Sequence, residues 1–143
     1  REIIPAGDLV VEGIAAAADA IYLSVKQDPV NKVMRLSGEG DVTTLKTPRD
    51  GAAYISSVSP QVPGVLVYES TWIQGGIRYA YDPFEDGFTD TGMVPKGKFD
   101  DLEGYVAEEV LVTSHDGVDV PVSILRRADL VLDGTNPTIV YSV

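Results

Sequence analysis

The sequence predicts a mainly β fold, and three observations support that prediction. Short apolar segments alternate with clusters of Gly, Pro, Asp and Asn, which is the pattern of strands joined by tight turns. Asp116-Gly117 separates two apolar segments, as the turn of a β-hairpin does. The first two-thirds of the chain also repeats its pattern with a period of about 45 residues.

Eight strands are predicted in that part of the chain, at residues 9–14, 20–25, 32–36, 42–45, 53–58, 65–70, 77–82 and 87–90. Turn residues separate them at Asp28-Pro29, Gly38-Glu39-Gly40, Pro48-Arg49-Asp50-Gly51, Gly75-Gly76 and Asp86-Gly87. The alanine run at 15–18 has high helix propensity but is too short to form a stable helix alone. We therefore predict a loop or short turn there.

The repeat emerges when the segment from Ala20 is laid over the segment from Val65 without a gap. In both copies an apolar strand precedes a polar turn, an aromatic or Met-bearing strand, an acidic Gly turn and a Thr-rich strand. Units of about 40–50 residues with four short strands are typical of β-propeller blades, which stack because one such sheet cannot bury both faces alone. Because the two copies share few identities, a β-sandwich is the alternative fold.

The last third predicts a linker followed by three strands. Residues 93–105 are polar, contain Pro95, Gly97 and Gly104, and lack helical or strand periodicity, as an interdomain linker does. Strands are predicted at 108–113, 118–125 and 138–143, the last entered through the turns at 133–134 and 136–137. No partner follows the last strand, so we expect a domain that continues in a longer parent protein.

Composition narrows the classes of function. The net charge of -11 argues against nucleic acid or an anionic membrane as a partner, because both are polyanions. The absence of cysteine excludes disulfides, thiolate metal sites and cysteine nucleophiles, and no apolar run approaches the roughly 18 residues of a membrane helix. The chain begins at Arg1, so a missing signal peptide says nothing about the parent, whose compartment, cytoplasmic or periplasmic, stays open.

Several motifs follow one another in a specific order from residue 113 onward. They are a Ser-x-Asp-Gly turn, a Val-Pro strand, basic residues, Leu-Asp-Gly, Asn-Pro-Thr and an apolar strand ending in Tyr, at Ser114, Asp116, Gly117, Val120, Pro121, Arg126, Arg127, Leu132, Asp133, Gly134, Asn136, Pro137, Thr138 and Tyr141. Upstream lies a Ser-rich aromatic strand followed by Tyr-x-Tyr-Asp, at Ser70, Trp72, Tyr79, Tyr81 and Asp82. Together they resemble the last propeller blade and the start of the catalytic domain in the prolyl oligopeptidase family of serine peptidases. The family often has Pro-Pro where this chain has Gly75-Gly76.

The resemblance implies a fragment with three parts. These are the last two propeller blades (1–92), the interdomain linker (93–105) and the N-terminal strands of an α/β-hydrolase domain (106–143). It also implies that the parent cleaves short peptides after proline through a serine ester. The alternatives are a related acyl-aminoacyl or dipeptidyl peptidase and a non-enzymatic propeller or sandwich that binds a partner. Exposed blade edges predict self-association of the fragment.

No catalytic, cofactor-binding or metal-binding residue is predicted in this chain, and no cofactor is expected. In the family the nucleophile lies in a Gly-x-Ser-x-Gly elbow followed by Asp and His, whereas this chain has no elbow and only His115. The fragment alone should therefore be inactive. Ser114, His115 and Asp116 are the three residue types of a catalytic triad. The side chains of consecutive residues in a tight turn point in different directions, so we predict a surface turn and not a triad. At the chain end, Ser142-Val143 occupy the positions where the family has Gly-Tyr. In the family the hydroxyl of that tyrosine helps hold the oxyanion. In this protein the tyrosine therefore either follows Val143 or is replaced.

Other side chains were weighed as binding sites. Calcium is conceivable at four acids, although their spacing fits no EF-hand and predicts a solvated turn: Asp82, Glu85, Asp86 and Asp90. Four aromatic residues suggest either a peptide or carbohydrate platform or, as we predict, packing between blades: Tyr68, Trp72, Tyr79 and Tyr81. Arg126 and Arg127 are predicted to lie in solvent at a strand end rather than to bind an anion.

Overall fold

A computed structural model of the chain describes residues 4, 7, 9–27, 30–49, 51–100 and 102–141. These residues form strands and, within the described ranges, no helix, and therefore no helix that could span a membrane. The ten strands are β1 Val10–Ala16, β2 Ala20–Gln27, β3 Val30–Ser37, β4 Val42–Thr44, β5 Ala52–Ser57, β6 Val65–Ser70, β7 Ile77–Asp82, β8 Gly87–Asp90, β9 Tyr105–Thr113 and β10 Asp119–Arg127.

The two copies of the sequence repeat form two separate four-stranded antiparallel sheets. The first sheet has the strand order β1-β2-β3-β4 and the second sheet the order β5-β6-β7-β8. Each sheet is thus a meander in chain order, as in a propeller blade, and the strands are not exchanged between sheets as in the Greek-key connections of a sandwich. The prediction of propeller-like blades is confirmed.

Most predicted strand bounds agree with the structure, and the alanine run is the main departure. β6, β7 and β8 have the predicted bounds, and the other strands of the two sheets differ from the prediction by one or two residues at one or both ends. The prediction of a loop at 15–18 is wrong for Ala15 and Ala16, which extend β1 and pair with Tyr22 and Ile21. Pairing with a neighbouring strand outweighs the weak helix propensity of alanine. The predicted turn at Asp28-Pro29, and Asp50 of the predicted turn at 48–51, lie outside the described residues.

The hydrophobic core lies between the two sheets. It consists of Ala20, Tyr22, Val33, Leu45, Ala53, Val65, Val67 and Tyr81, and a second cluster, of Leu23, Val25 and Leu36, lies on the other face of the first sheet. The rings of Tyr22 and Tyr81 meet edge to face with centroids 6.3 Å apart, which joins β2 to β7. The backbone N–H of Ile55 also donates to Ser24 Oγ at 3.2 Å across the interface. The sheets therefore stack on one another as neighbouring blades do.

The last third forms a two-stranded hairpin, β9–β10, and an irregular segment. β9 begins at Tyr105, so the predicted linker ends at residue 104; we call residues 93–104 the linker. The prediction of a strand at 138–143 is wrong for residues 138–141, where Ile139 and Val140 are exposed. No described strand pairs with this segment, and an apolar sequence pattern does not form a strand without a partner. Ser142 and Val143 lie outside the described residues.

Candidate functional site at the linker junction

Ser114, His115 and Asp116 lie in the exposed turn of the β9–β10 hairpin. The Ser114 N–H donates to the Val118 carbonyl at 2.8 Å, and Gly117 has a φ of 84°. Ser114 Oγ lies 3.2 Å from His115 Nδ1. Asp116 Oδ1 accepts the Val118 N–H at 3.2 Å, so its carboxylate bonds the backbone of the turn. This arrangement explains the three residues by turn chemistry.

The acids of the β7–β8 region also bond their own turns. Asp82 Oδ1 accepts the Phe84 N–H, and Asp90 Oδ1 accepts the Gly92 N–H, both at 2.8 Å. Asp86 Oδ1 accepts a hydrogen bond from the Tyr81 hydroxyl at 2.8 Å. The pKa of Tyr81 is raised to about 12, mainly by burial and to a lesser extent by this hydrogen bond. Within the part of the chain that the structure describes, no group of three or more such residues is placed to hold a metal ion.

The four aromatic residues do not share a face. Tyr79 and Tyr81 are buried on the core face of β7 and contact Phe88, with ring centroids 6.2 and 5.0 Å apart. Tyr68 lies on the opposite face, with the Arg78 guanidinium 5.9 Å from its ring centroid. Trp72 is exposed in the β6–β7 connection. A single binding platform is therefore not formed, and Tyr81 packs between the sheets as predicted.

The two basic residues at the end of β10 are paired with acids. Arg126 contacts the Glu108 carboxylate across the hairpin. Arg127 donates from Nε and Nη2 to the two oxygens of Asp129, at 2.9 and 2.7 Å. The Asp129 hydrogen bond raises the pKa of the exposed Arg127. Both cations thus have intramolecular partners, and the prediction that they lie in solvent is correct for Arg127 but wrong for Arg126, which is half-buried.

Asp19 links the first sheet to the second. Its Oδ1 accepts the Gly64 N–H at 2.8 Å, and its Oδ2 accepts the Tyr22 hydroxyl and Arg35 Nε, both at 3.0 Å. Burial alone would raise the pKa of Asp19, but the hydrogen bonds from Gly64, Arg35 and Tyr22 outweigh burial and hold it below its usual value. Nothing in the sequence marks Asp19, because Arg35 and Gly64 are 16 and 45 residues away from it along the chain.

Glu69 is a buried carboxylate at the far end of β6. Its side chain has no solvent exposure, and it follows Val65 and Val67 on the core-facing side of the strand. Glu69 Oε1 accepts the Gly51 N–H at 2.9 Å, and Oε2 accepts the Arg49 N–H at 3.2 Å. The sequence reading overlooked Glu69, although an acid at a core position of an alternating strand is itself a signal that buried donors surround it.

The linker is attached to the second sheet next to this carboxylate, and we call the contact the linker junction. The Leu102 N–H donates to the Ile73 carbonyl at 2.9 Å, and the Gly75 N–H donates to the Asp100 carbonyl at 2.5 Å. Arg49 Nη1 donates to the Gly75 carbonyl at 2.7 Å. The junction thus joins three parts of the chain: Arg49 and Gly51, residues 71–76, and the described residues of the linker.

The two glycines at the junction are required by close packing. A Cβ on Gly75 would lie 2.9 Å from the Asp100 side chain, and a Cβ on Gly76 would overlap the Tyr68 hydroxyl. The Gly75 N–H is also a donor that proline lacks. These contacts give a physical reason for Gly-Gly where the family often has Pro-Pro.

We expect Gly76→Ala to lower the free energy of unfolding by about 2 kcal/mol, because the Tyr68 ring must leave its position beneath Arg78. Urea unfolding followed by circular dichroism measures the change. Gly38→Ala is the matched control, since its added Cβ would meet no atom within 4 Å. Equal effects of the two substitutions would refute the packing argument.

Comparisons with known proteins place these features in context. No protein-family model matches the chain. The chain is 45% identical over 130 residues to a prolyl endopeptidase of Elizabethkingia meningoseptica, with 88% of this chain and 16% of that protein covered. It is 26% identical over 140 residues to the peptidase y4nA of Sinorhizobium fredii, with 92% and 18% covered.

Solved structures share the fold. Prolyl oligopeptidase B from Galerina marginata superposes with a TM-score of 0.77 at 23% identity, with 94% of this chain and 19% of that protein covered. At this identity the likeness establishes the arrangement of the strands. The chain spans less than a fifth of the length of each of these three relatives.

Proposed function

We propose that this chain, which belongs to the prolyl oligopeptidase family, is part of a serine-type peptidase that hydrolyses short peptides after proline. The observation that carries the proposal is the 45% identity over 130 residues to a protein named prolyl endopeptidase. The stacked meanders of the two sheets and their likeness to solved oligopeptidases support the same assignment.

In this proposal residues 1–92 are the last two propeller blades, the segment 93–105 connects the domains, and residues 106–143 open the peptidase domain. The boundary near residue 92 is supported by the end of β8 at Asp90, after which the chain leaves the second sheet. The β9–β10 hairpin supports the third part, because its apolar side chains, including Leu111 and Val120, are exposed and suit burial in a larger domain.

The proposed reaction is acyl transfer: a serine attacks the peptide carbonyl, the amine leaves, and water hydrolyses the serine ester. The elbow serine, its base and the orienting acid belong to the rest of the peptidase domain. This chain contributes two blades of the propeller that restricts entry to short peptides, and the linker between the propeller and the peptidase domain.

The test is hydrolysis of a proline-linked chromogenic peptide by the full-length protein, with an alanine-linked peptide of the same length as the matched substrate. We expect kcat/KM to favour proline by at least about tenfold. The elbow Ser→Ala variant and the isolated 143-residue chain should both be inactive. Cleavage of the alanine peptide alone would overturn the proline specificity, and no cleavage of any peptide would overturn the peptidase.

A further inference from the structure

We infer that Glu69, Arg49 and Gly75 form a hydrogen-bond relay that holds the linker against the second sheet and thereby limits the size of peptides admitted to the active site. The part about peptide size rests on the proposed function. The relay itself rests on the contacts of the linker junction.

The relay begins at Glu69, on the buried face of the second sheet. The buried Glu69 carboxylate accepts the backbone N–H groups of Arg49 and Gly51, which fixes the loop between β4 and β5. A buried carboxylate without hydrogen bonds is strongly unfavourable, so this loop and Glu69 hold each other in place. The buried Glu69 carboxylate thus fixes the position of the Arg49 backbone.

The second step carries this fixed position to the linker. From its anchored backbone, the Arg49 guanidinium donates to the Gly75 carbonyl at 2.7 Å. The Gly75 N–H, on the other side of the same residue, donates to the Asp100 carbonyl of the linker. Arg49 therefore holds the carbonyl of the residue whose N–H binds the linker, and Gly75 allows Asp100 to approach it closely.

In the described part of the linker, few other contacts hold the chain in place. Its residues Val94 to Phe99 are exposed or half-buried, and its backbone is tied to the second sheet by the Gly75–Asp100 and Leu102–Ile73 hydrogen bonds. A segment with few buried contacts opens at low free-energy cost, so one added side-chain hydrogen bond changes its mobility. A looser linker would let the two proposed domains separate and admit longer peptides.

The test uses Arg49→Met in the full-length protein, because this substitution removes the donor to Gly75 and leaves Glu69 in place. Hydrogen exchange is measured at the Gly75 and Leu102 amides, together with hydrolysis of a proline dipeptide and of a longer peptide containing the same proline bond. We expect exchange at both amides to rise about fivefold, as for the loss of one hydrogen bond, and the ratio of long to short peptide hydrolysis to rise about threefold. Arg49→Lys should restore part of both, since its ammonium can donate one bond.

Lys46→Met is the matched control, because Lys46 is an exposed cation three residues earlier in the same connection. It should leave both quantities unchanged. Unchanged exchange in Arg49→Met would overturn the relay whether or not the protein is active. Faster exchange with an unchanged ratio of peptides would overturn the control of peptide size. A wild-type protein that cleaves neither peptide would overturn the proposed function and with it the size limit, while the exchange result would still decide the relay.

Discussion

Replacing Asp19 with alanine is expected to lower the free energy of unfolding by about 3 kcal/mol, because three donors lose their acceptor at once. The Tyr22 side chain is fully buried, so its hydroxyl cannot turn to water. Arg35 loses its ion-pair partner, and the Gly64 N–H loses the bond that ties the second sheet to the first. Urea unfolding followed by circular dichroism measures the loss.

Two further variants separate the causes. Asp41→Ala removes an exposed acid from the connection between β3 and β4 and should change stability by less than about 0.5 kcal/mol. A double-mutant cycle of Asp19→Ala with Tyr22→Phe should give a coupling energy of about 1 kcal/mol, since the two side chains share a hydrogen bond. Strict additivity in that cycle would contradict the direct Asp19–Tyr22 interaction.

The same carboxylate predicts a dependence of stability on pH. The pKa of Asp19 in the folded protein lies below 3.8, its ordinary value, so below that pH the unfolded chain binds the proton more readily than the folded one. The stabilisation by ionised Asp19 is therefore complete above its unfolded pKa and is lost as the pH falls through its folded pKa. In Asp19→Asn the free energy of unfolding should therefore fall less steeply than in the wild type as the pH is lowered. Equal slopes of the free energy of unfolding against pH for the wild type and Asp19→Asn would refute this role of Asp19.

The sequence predicted those features that depend on neighbours along the chain. β6, β7 and β8 have the predicted bounds because each is a short segment with apolar or aromatic residues, and glycine or proline turns flank it. The hairpin turn at Asp116-Gly117 is confirmed for the same reason, since Gly117 adopts the positive φ that such a turn needs. The repeat was visible because each blade buries its own copy of the same pattern.

What the sequence did not predict depends on contacts between distant segments. The prediction at 138–143 was wrong for residues 138–141 because strand formation needs a partner as well as an apolar pattern. The roles of Asp19 and Glu69 were not predicted, because their partners Gly64 and Gly51 come into contact with them only when the strands pair and the sheets stack. Alternation along β6 places Glu69 inside, but only the structure identifies the backbone donors that it meets.

Gly64→Ala is expected to lower the free energy of unfolding by about 4 kcal/mol, the sum of two separate costs. Gly64 has a φ of 85°, a conformation that L-residues other than glycine rarely adopt. An added Cβ would also overlap the Tyr81 carbonyl oxygen, which belongs to the ladder that pairs Val65 with Tyr81. Because backbone and not a flexible side chain must move, the β6–β7 pairing and the Asp19–Gly64 hydrogen bond are both disturbed.

Gly92→Ala isolates the conformational cost at a second glycine next to the same sheet, two residues after the end of β8. Gly92 has a φ of 65°, but a Cβ there would meet no atom within 4 Å, so its substitution should cost only about 1 kcal/mol. The difference between the two variants, about 3 kcal/mol, then measures the overlap with Tyr81 and the disturbed contact between the sheets. If Gly64→Ala costs no more than Gly92→Ala in urea unfolding, backbone strain alone explains the glycine, and the close approach of Gly64 to the Tyr81 carbonyl adds no packing cost.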